Sequence, residues 1–301
     1  MSPVASPPYI LDQRAVPHGA RRVAVARTQK ALRTILGRTN YERLMFRRRV
    51  GYFPNLSNPL TINEKISRMK LYSEMRGAHI FADKVAVRDH VARVIGPQYL
   101  TEAFLVTDDP DAIDFGHLPT SYVMKVNHGS GMSIVVRDKS QADEDLFRRS
   151  LTSFLKTPYG ELTNEWWYLQ IPRKIIIEEF LKDGQHLLPN DYRFWVFHGE
   201  TKLIQVTADR FRDWSTTFYD RSWKPQELQL VGYPTRPATP PSRLDEMIQV
   251  AEVLGHDFDM VRIDLYCIDD HVYFSEITLS PGAGWRRYDS RRTDEFLGSF
   301  W

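Results

Sequence analysis

Two short segments near the end of the chain hold the residues best suited to chemistry: Val261-Arg262-Ile263-Asp264-Leu265 and Phe274-Ser275-Glu276-Ile277-Thr278. Side chains of an extended strand alternate between faces. Arg262 and Asp264 therefore share one face, and Val261, Ile263 and Leu265 the other. Glu276 and Thr278 share a face of the second segment in the same way. If the register sets Asp264 opposite Glu276, two carboxylates meet with an arginine and a hydroxyl beside them. Adjacent anions repel unless a cation or proton intervenes. Oxygen ligands around Mg²⁺ and substrate phosphates meet that need. The plainer alternative is an Arg–Asp surface pair with an incidental glutamate.

A second candidate is Lys125-Val126-Asn127-His128-Gly129-Ser130-Gly131-Met132-Ser133. A lysine at the end of a strand, followed by a turn of small residues, brings a cation and bare backbone amides together. Glycine removes the side-chain obstacle to an anion there. That combination suits a triphosphate, although two glycines spaced by one residue also close many ordinary hairpins. No Gly-Lys-Ser/Thr follows, so this is not a Walker A loop. Ser130 lacks the Gly-x-Ser-x-Gly setting of a hydrolase nucleophile. In Ile175-Ile176-Ile177-Glu178-Glu179-Phe180-Leu181, an apolar strand ending in carboxylates and an aromatic can offer backbone groups and apolar walls to an adenine; a buried strand with solvated glutamates is the alternative. The loop Ser280-Pro281-Gly282-Ala283-Gly284 offers amides to a substrate anion, or is a plain turn.

The elements that must position these residues follow from periodicity. The basic stretch 21–49 predicts a helix in two pieces divided near Gly37. Thr61-Ile62-Asn63-Glu64 opens another helix, with Ile62, Ile66, Met69 and Leu71 at core spacing. Asp83 reads as the N-cap of a helix carrying Val87, Val91, Val94 and Ile95, stopped at Gly96-Pro97. Strands are expected at Tyr122–Val126, Ile134–Val136, Lys174–Phe180, Tyr192–Phe197, Leu203–Thr207 and Thr216–Tyr219. Helices are expected through 141–156 and at Arg243–Leu254. The final hairpin, Met260–Ile268 with Val272–Thr278, turns at Asp269-Asp270. Pro3, Pro7, Pro8 and Pro17 mark residues 1–20 as a poorly ordered arm. Helices first, then antiparallel strands with helices between, give an α+β class.

Bulk properties narrow the function. No apolar run is long enough to span a bilayer, and the N-terminus lacks the apolar stretch of a secretory signal. The single cysteine, Cys267, leaves no intramolecular disulfide or zinc cluster and fits a reducing compartment. Net charge is +2, yet residues 21–49 hold nine Arg, one Lys and one Glu, a local +9, so the rest sums to about −7 (2 − 9). Such a stretch suits an anionic contact, or a solvated helical face whose aliphatic side packs on the body.

Taken together and in order, these segments resemble the ATP-grasp superfamily. A first lysine follows an Asp at a helix start (Asp83-Lys84), and a second precedes a Gly/Ser-rich loop (Lys125, then His128 and Gly129 to Ser133). The adenine hinge matches Glu178, Glu179, Phe180 and Leu181, and a ribose carboxylate matches Asp191. Arg262-x-Asp264, Glu276-x-Thr278 and Pro281-Gly282 complete the site. Within the superfamily the chain is similar to the TupA-like branch. That similarity rests on Asn63-Glu64-Lys65, Asp191-Tyr192-Arg193-Phe194, Asp209-Arg210-Phe211, Val261 to Tyr266 and the tail through Leu297-Gly298, over about residues 50–300. Thr278 stands where most of the superfamily has Asn, which implies a weaker or water-mediated metal contact. Arg193 replaces an expected Lys, keeping the charge and changing the geometry.

The resemblance implies an ATP-grasp fold holding ATP between two α+β subdomains, with an N-terminal helical extension. Residues 1–49 form the arm and extension, 50–120 a preceding helical subdomain, and 121–301 the core, divided into a lid (121–182) and a metal-binding part (183–301). It implies ATP and Mg²⁺ as cofactors. Lys84 and Lys125 would hold the triphosphate with His128, Gly129, Ser130, Gly131 and Ser133; Asp264, Glu276 and Thr278 would hold the metal. Arg262 and Lys125 would be catalytic, and Arg210, Ser280, Gly282 and Arg286 would contact substrate. The implied reaction joins a small-molecule or glycan carboxylate to an amine through an acyl phosphate, for a surface polysaccharide of the teichuronopeptide type. The expected setting is cytoplasmic, with a peripheral place at the inner membrane face open through residues 21–49, and no nucleic acid is expected. The alternatives are an ATP-grasp phosphotransferase, a sugar-nucleotide glycosyltransferase using Asp109-x-Asp111 or Asp257-x-Asp259, and a noncatalytic polyanion-binding protein.

Overall fold

A computed structural model describes residues 7–12, 19–184 and 187–301, with side chains in the first helix from residue 28 onward. Of the arm expected over residues 1–20, residues 1–6 and 13–18 lie outside the described residues. The part between them corrects the expectation: it is a strand, β1 (Tyr9–Asp12), whose backbone groups find partners far along the chain. The basic stretch forms α1 (Gly19–Val50), broken at Gly37, where φ 71° and ψ 167° leave the helical region. Only glycine adopts that conformation at low cost.

Next comes α2 (Ile62–Tyr72), fixed at its start by a reciprocal capping box between Thr61 and Glu64. Two short helices follow, α3 (Ala78–Ala82) and α4 (Val87–Val94). Asp83 does not cap α4 as expected. It closes the preceding turn, its Oδ1 accepting from Val85 N at 2.8 Å and from Asn127 Nδ2 at 2.8 Å.

Strands β2 (Ala103–Thr107), β3 (Tyr122–Val126) and β4 (Ser133–Val136) lead to helices α5 (Glu144–Lys156) and α6 (Tyr159–Thr163), a 3₁₀ turn at Trp166–Gln170, and β5 (Ile175–Glu179). These make an antiparallel sheet in the order β1-β4-β3-β5-β2. It draws β1 and β2 from outside the segment 121–182. Its rear face, with Met124, Ile134 and Ile177, packs on Phe147, Leu151 and Phe154 of α5. A one-residue slip would turn that apolar row outward. Burying each such side chain contributes about 1.5–3 kcal/mol, so the register is firmly held and Val123 and Lys125 face the other way.

The second sheet comprises β6 (Asp191–Phe197), β7 (Glu200–Ala208), β8 (Ser215–Tyr219), β9 (Met260–Ile268) and β10 (His271–Thr278), in the order β10-β9-β6-β7-β8. Helix α7 (Leu244–Gly255) covers its rear through Met247, Ala251 and Leu254, against Val261, Ile263 and Leu265. After β10, helix α8 (Arg291–Gly298) returns to pack on α2. Among the described residues no helix is long and apolar enough to cross a membrane.

Candidate functional site

The front faces of the two sheets enclose a cleft of about 1240 Å³. Its most charged corner is the front of β9 and β10. Alternation along β9 aims Arg262, Asp264 and Tyr266 into the cleft. On β10 the ladder runs evenly from His271 opposite Ile268 to Phe274 opposite Leu265, then slips so that Glu276 stands opposite Asp264 and Thr278 opposite Arg262. Ser275 is the extra residue. Without that β-bulge, Glu276 would face Ile263 and point away from the cleft. The row continues through β6, where Arg193 is opposite Asp264.

Arg262 organises this corner. Its Nε donates to Asp264 Oδ1 at 2.6 Å and its Nη2 to Asp264 Oδ2 at 2.7 Å. The same Nη2 reaches Glu276 Oε1 and Thr278 Oγ1, both at 3.1 Å. The Thr278 hydroxyl donates to Glu276 Oε1 at 2.9 Å. Arg193 Nε lies 3.5 Å from Asp264 Oδ2. The two carboxylates titrate apart. Burial dominates at Asp264 and raises it to about 6 despite Arg262. Burial also pushes Glu276 up, but Lys84, Arg262 and the Thr278 hydroxyl outweigh it and hold Glu276 at about 2.

Two lysines face this corner. Lys84, in the turn before α4, donates to the carbonyl of Gly129 at 2.6 Å and lies 3.7 Å from Glu276 Oε2. Burial lowers its pKa, an effect Glu276 partly offsets. Lys125, at the front of β3, pairs with Glu178 of β5, which also accepts from Thr101 at 3.2 Å and lies 3.6 Å from Arg88. The loop Gly129–Ser133 lines the cleft beside them. At Gly129 a Cβ would come within 2.5 Å of Met132 Cε and 2.8 Å of Tyr159 Cγ, so a larger residue does not fit. The opposite end is apolar. Phe180 packs with Ile10, Val135, Leu187 and Leu188, with Leu181 alongside in the cleft wall. Glu179 lines the same end, its amide donating to Glu102 O at 2.9 Å.

The remaining expected residues fall as follows. Asp191 lines the cleft with both oxygens occupied, accepting from Arg193 Nη2 at 2.9 Å and Arg210 Nη2 at 3.1 Å. Ser280 donates to Glu165. Gly282, at φ 61°, leaves room for Arg286, whose Cγ would lie 2.3 Å from a Cβ there. Both line the cleft. His128 is not brought to it. Its ring is buried behind the loop, Nε2 3.3 Å from Thr157 O, and burial lowers its pKa to about 4. A neutral core histidine replaces the expected phosphate contact. Neither Asp-x-Asp pair lines the cleft; Asp109 only closes a turn onto Asp111 N.

The expectations missed Glu165, Tyr159 and Tyr168, which line the cleft beside Ser280. One signal was available: Glu165 precedes Trp166-Trp167-Tyr168, and a carboxylate in an aromatic run needs a partner or a task. They also missed a fully buried cluster in which Glu42 of α1 meets Lys70 of α2 at 2.9 Å, Trp285 Nε1 at 2.7 Å and Asn164 Nδ2 at 2.8 Å.

Among the described residues no three His, Cys, Asp or Glu side chains gather as a metal cage. The cleft offers two carboxylates and a hydroxyl, which fits Mg²⁺, because that ion takes one or two carboxylates and completes its shell with phosphates and water.

Residues 64–301 match the family described as TupA-like ATPgrasp. Among solved structures, the chain is similar to a D-alanine–D-alanine ligase from Helicobacter pylori, with 13% identity and a TM-score of 0.42, covering 80% of this chain and 69% of that one. It is also similar to a RimK domain protein ATP-grasp from Sphaerobacter thermophilus DSM 20745, with 12% identity, a TM-score of 0.41 and coverage of 81% and 70%. A third is D-alanine–D-alanine ligase from Bacillus anthracis complexed with ATP, with 14% identity, a TM-score of 0.39 and coverage of 66% of this chain and 54% of that one. The chain thus spans about half of the Bacillus enzyme's length. Curated proteins compared by sequence provide no match.

Proposed function

The chain belongs to the TupA-like ATP-grasp family, and from that premise we propose that it is an ATP- and Mg²⁺-dependent carboxylate–amine ligase working through an acyl phosphate. Its target is a cell-surface polysaccharide or the precursor of one. The observation that carries this reading is the convergence of Lys84, Arg262, Asp264, Glu276 and Thr278, with Lys84 Nζ 3.7 Å from Glu276 Oε2. A cleft this size that buries both signs of charge suits a polyanion arriving with its own cations.

Lys84 and Lys125 are each already paired with a carboxylate, and nucleotide binding exchanges the partners. Lys84 would exchange Glu276, and Lys125 Glu178, for the triphosphate, and Asp264 and Glu276, with Thr278 beside them, would hold Mg²⁺. Bound there, the metal would neutralise the charge that develops on transfer. Phe180 and Leu181 wall the adenine, with Glu178 and Glu179 at its edge, and Asp191 stands toward the ribose through its two arginines. Gly129, Ser130, Gly131 and Ser133 close over the phosphates. Arg262 stabilises the transferring phosphoryl group. Arg210, Arg286, Ser280 and Gly282 meet the substrate's anionic group. The exposed Arg43 and Arg48 on α1 support contact of residues 21–49 with an anionic surface, consistent with a peripheral place at the cytoplasmic membrane face.

The test is a thermal-shift comparison of Mg·ATP, Mg·GTP and Mg·UDP-sugars. Saturation at about 100 times Kd adds roughly 2.7 kcal/mol, which moves the midpoint by several degrees. Wild type responds to Mg·ATP and Lys125→Ala does not. A response to a UDP-sugar alone, or an undiminished Mg·ATP response in Lys125→Ala, overturns the assignment.

A further inference from the structure

Glu165 is a cleft carboxylate for which phosphoryl transfer has no use. It is 3% exposed and accepts a hydrogen bond from Ser280 Oγ. Tyr159 and Tyr168 stand beside it in the cleft, their rings meeting edge to face at 5.0 Å. Glu165, Glu276 and Arg262 all act electrostatically on both tyrosines. One cleft therefore holds the phosphate corner, two tyrosine rings and a buried carboxylate.

Lys70, whose charge acts on Glu165, is already engaged. Its Nζ is 2.9 Å from Glu42, donates to Thr163 O at 3.1 Å and stands 4.1 Å from the centroid of the Trp285 ring. Lys70 eases the burial of Glu165 through charge, Thr163 and Ser280 hydrogen-bond to the carboxylate, and Glu165 still lines the cleft. A buried anion that shares a cleft with two aromatic rings is chemically suited to an ammonium group, which gains the charge and the ring quadrupoles together. Burial, the largest influence on Glu165, raises its proton affinity, as a group that must take a proton requires.

Resting on the ligase reading, we propose that Glu165, walled by Tyr159 and Tyr168, is the subsite for the amine substrate and accepts that amine's proton. The ammonium gives one proton to the Glu165 carboxylate. The freed nitrogen lone pair attacks the acyl-phosphate carbonyl carbon and forms the C–N bond. The C–O bond to phosphate breaks, phosphate leaves with the electron pair, and the second nitrogen proton goes to that phosphate.

The experiment uses the full chain saturated with Mg·AMP-PNP. The twenty amino acids, methylamine and glucosamine are added one at a time, and the further rise of the thermal midpoint is recorded for wild type, Glu165→Gln and Glu165→Asp. Gln keeps the shape and can still bond Ser280 but carries no charge. At least one amine raises the wild-type midpoint, and its N-acetyl form does not. Glu165→Gln binds that amine at least tenfold more weakly while keeping its response to Mg·AMP-PNP, and Glu165→Asp retains part of the amine response. An amine response unchanged in Glu165→Gln, or no amine response in a wild type that takes Mg·AMP-PNP, overturns this proposal alone. A wild type that ignores Mg·AMP-PNP overturns the ligase reading and this proposal with it.

Discussion

Asp294 illustrates how a single carboxyl can bias the whole chain. It sits on α8, where Asn63 donates to it twice, at 3.1 and 2.7 Å, and Tyr52 OH donates at 3.2 Å. Burial nevertheless prevails and raises it to about 6, against about 3.9 for a free Asp. Between those values the folded chain holds a proton that the unfolded chain has lost. The contribution of Asp294 is thus fully present below about pH 4 and fades as pH rises through about 6. Urea midpoints measured from pH 4.5 to 7 should fall less steeply in Asp294→Asn than in wild type; parallel curves would remove Asp294 from the account. At this scale the sequence was informative wherever alternation decides a face, as at Arg262, Asp264 and Lys125. It was silent where burial decides, as at His128 and Glu165, because which side of a loop meets solvent depends on elements far away in the chain.

Among the elements, the β9–β10 hairpin shows where local reading stops. The turn at Asp269-Asp270 was legible, and both residues adopt positive φ, 48° and 61°. The pairing of Asp264 with Glu276 was legible only as a condition on the register. The two readings conflict on an even ladder, which from that turn sets Ser275 opposite Asp264. The bulge at Ser275 reconciles them, and nothing in the side chain of a serine announces it. The spacing itself is therefore functional. Inserting one residue beside Ser275 should turn Glu276 and Thr278 away from Asp264 and abolish the Mg·ATP thermal shift, whereas Ser275→Ala should keep it. An insertion variant that still responds to Mg·ATP would show that the register does not matter. The kink at Gly37 was similarly readable, because glycine marks it directly. Strand β2 escaped notice because its five residues show no clean alternation in burial.

For the molecule as a whole, the decisive contacts join segments distant in sequence. Glu42, the lone acid in a basic stretch, ties α1 to the body by pairing with Lys70, both side chains at 0% exposure. Removing one member of such a pair leaves an uncompensated buried charge and costs about 3–5 kcal/mol. Glu42→Ala should lower the thermal midpoint by about 5–10 °C, and scanning calorimetry would show it; a change within a degree would mean that α1 is held by its apolar contacts alone. A local charge count could not reveal this, since the partner is presented by a different helix. Strand β1 has the same character in a more extreme form. Tyr9–Asp12 pairs with Ser133–Val136, more than a hundred residues later. On the ribosome, β1 therefore leaves the exit tunnel long before β4 exists. The nascent chain carries an unpaired, β-competent segment through nearly half of its synthesis. Until the two strands meet, keeping that segment from neighbouring chains falls to chaperones and to the pace of translation.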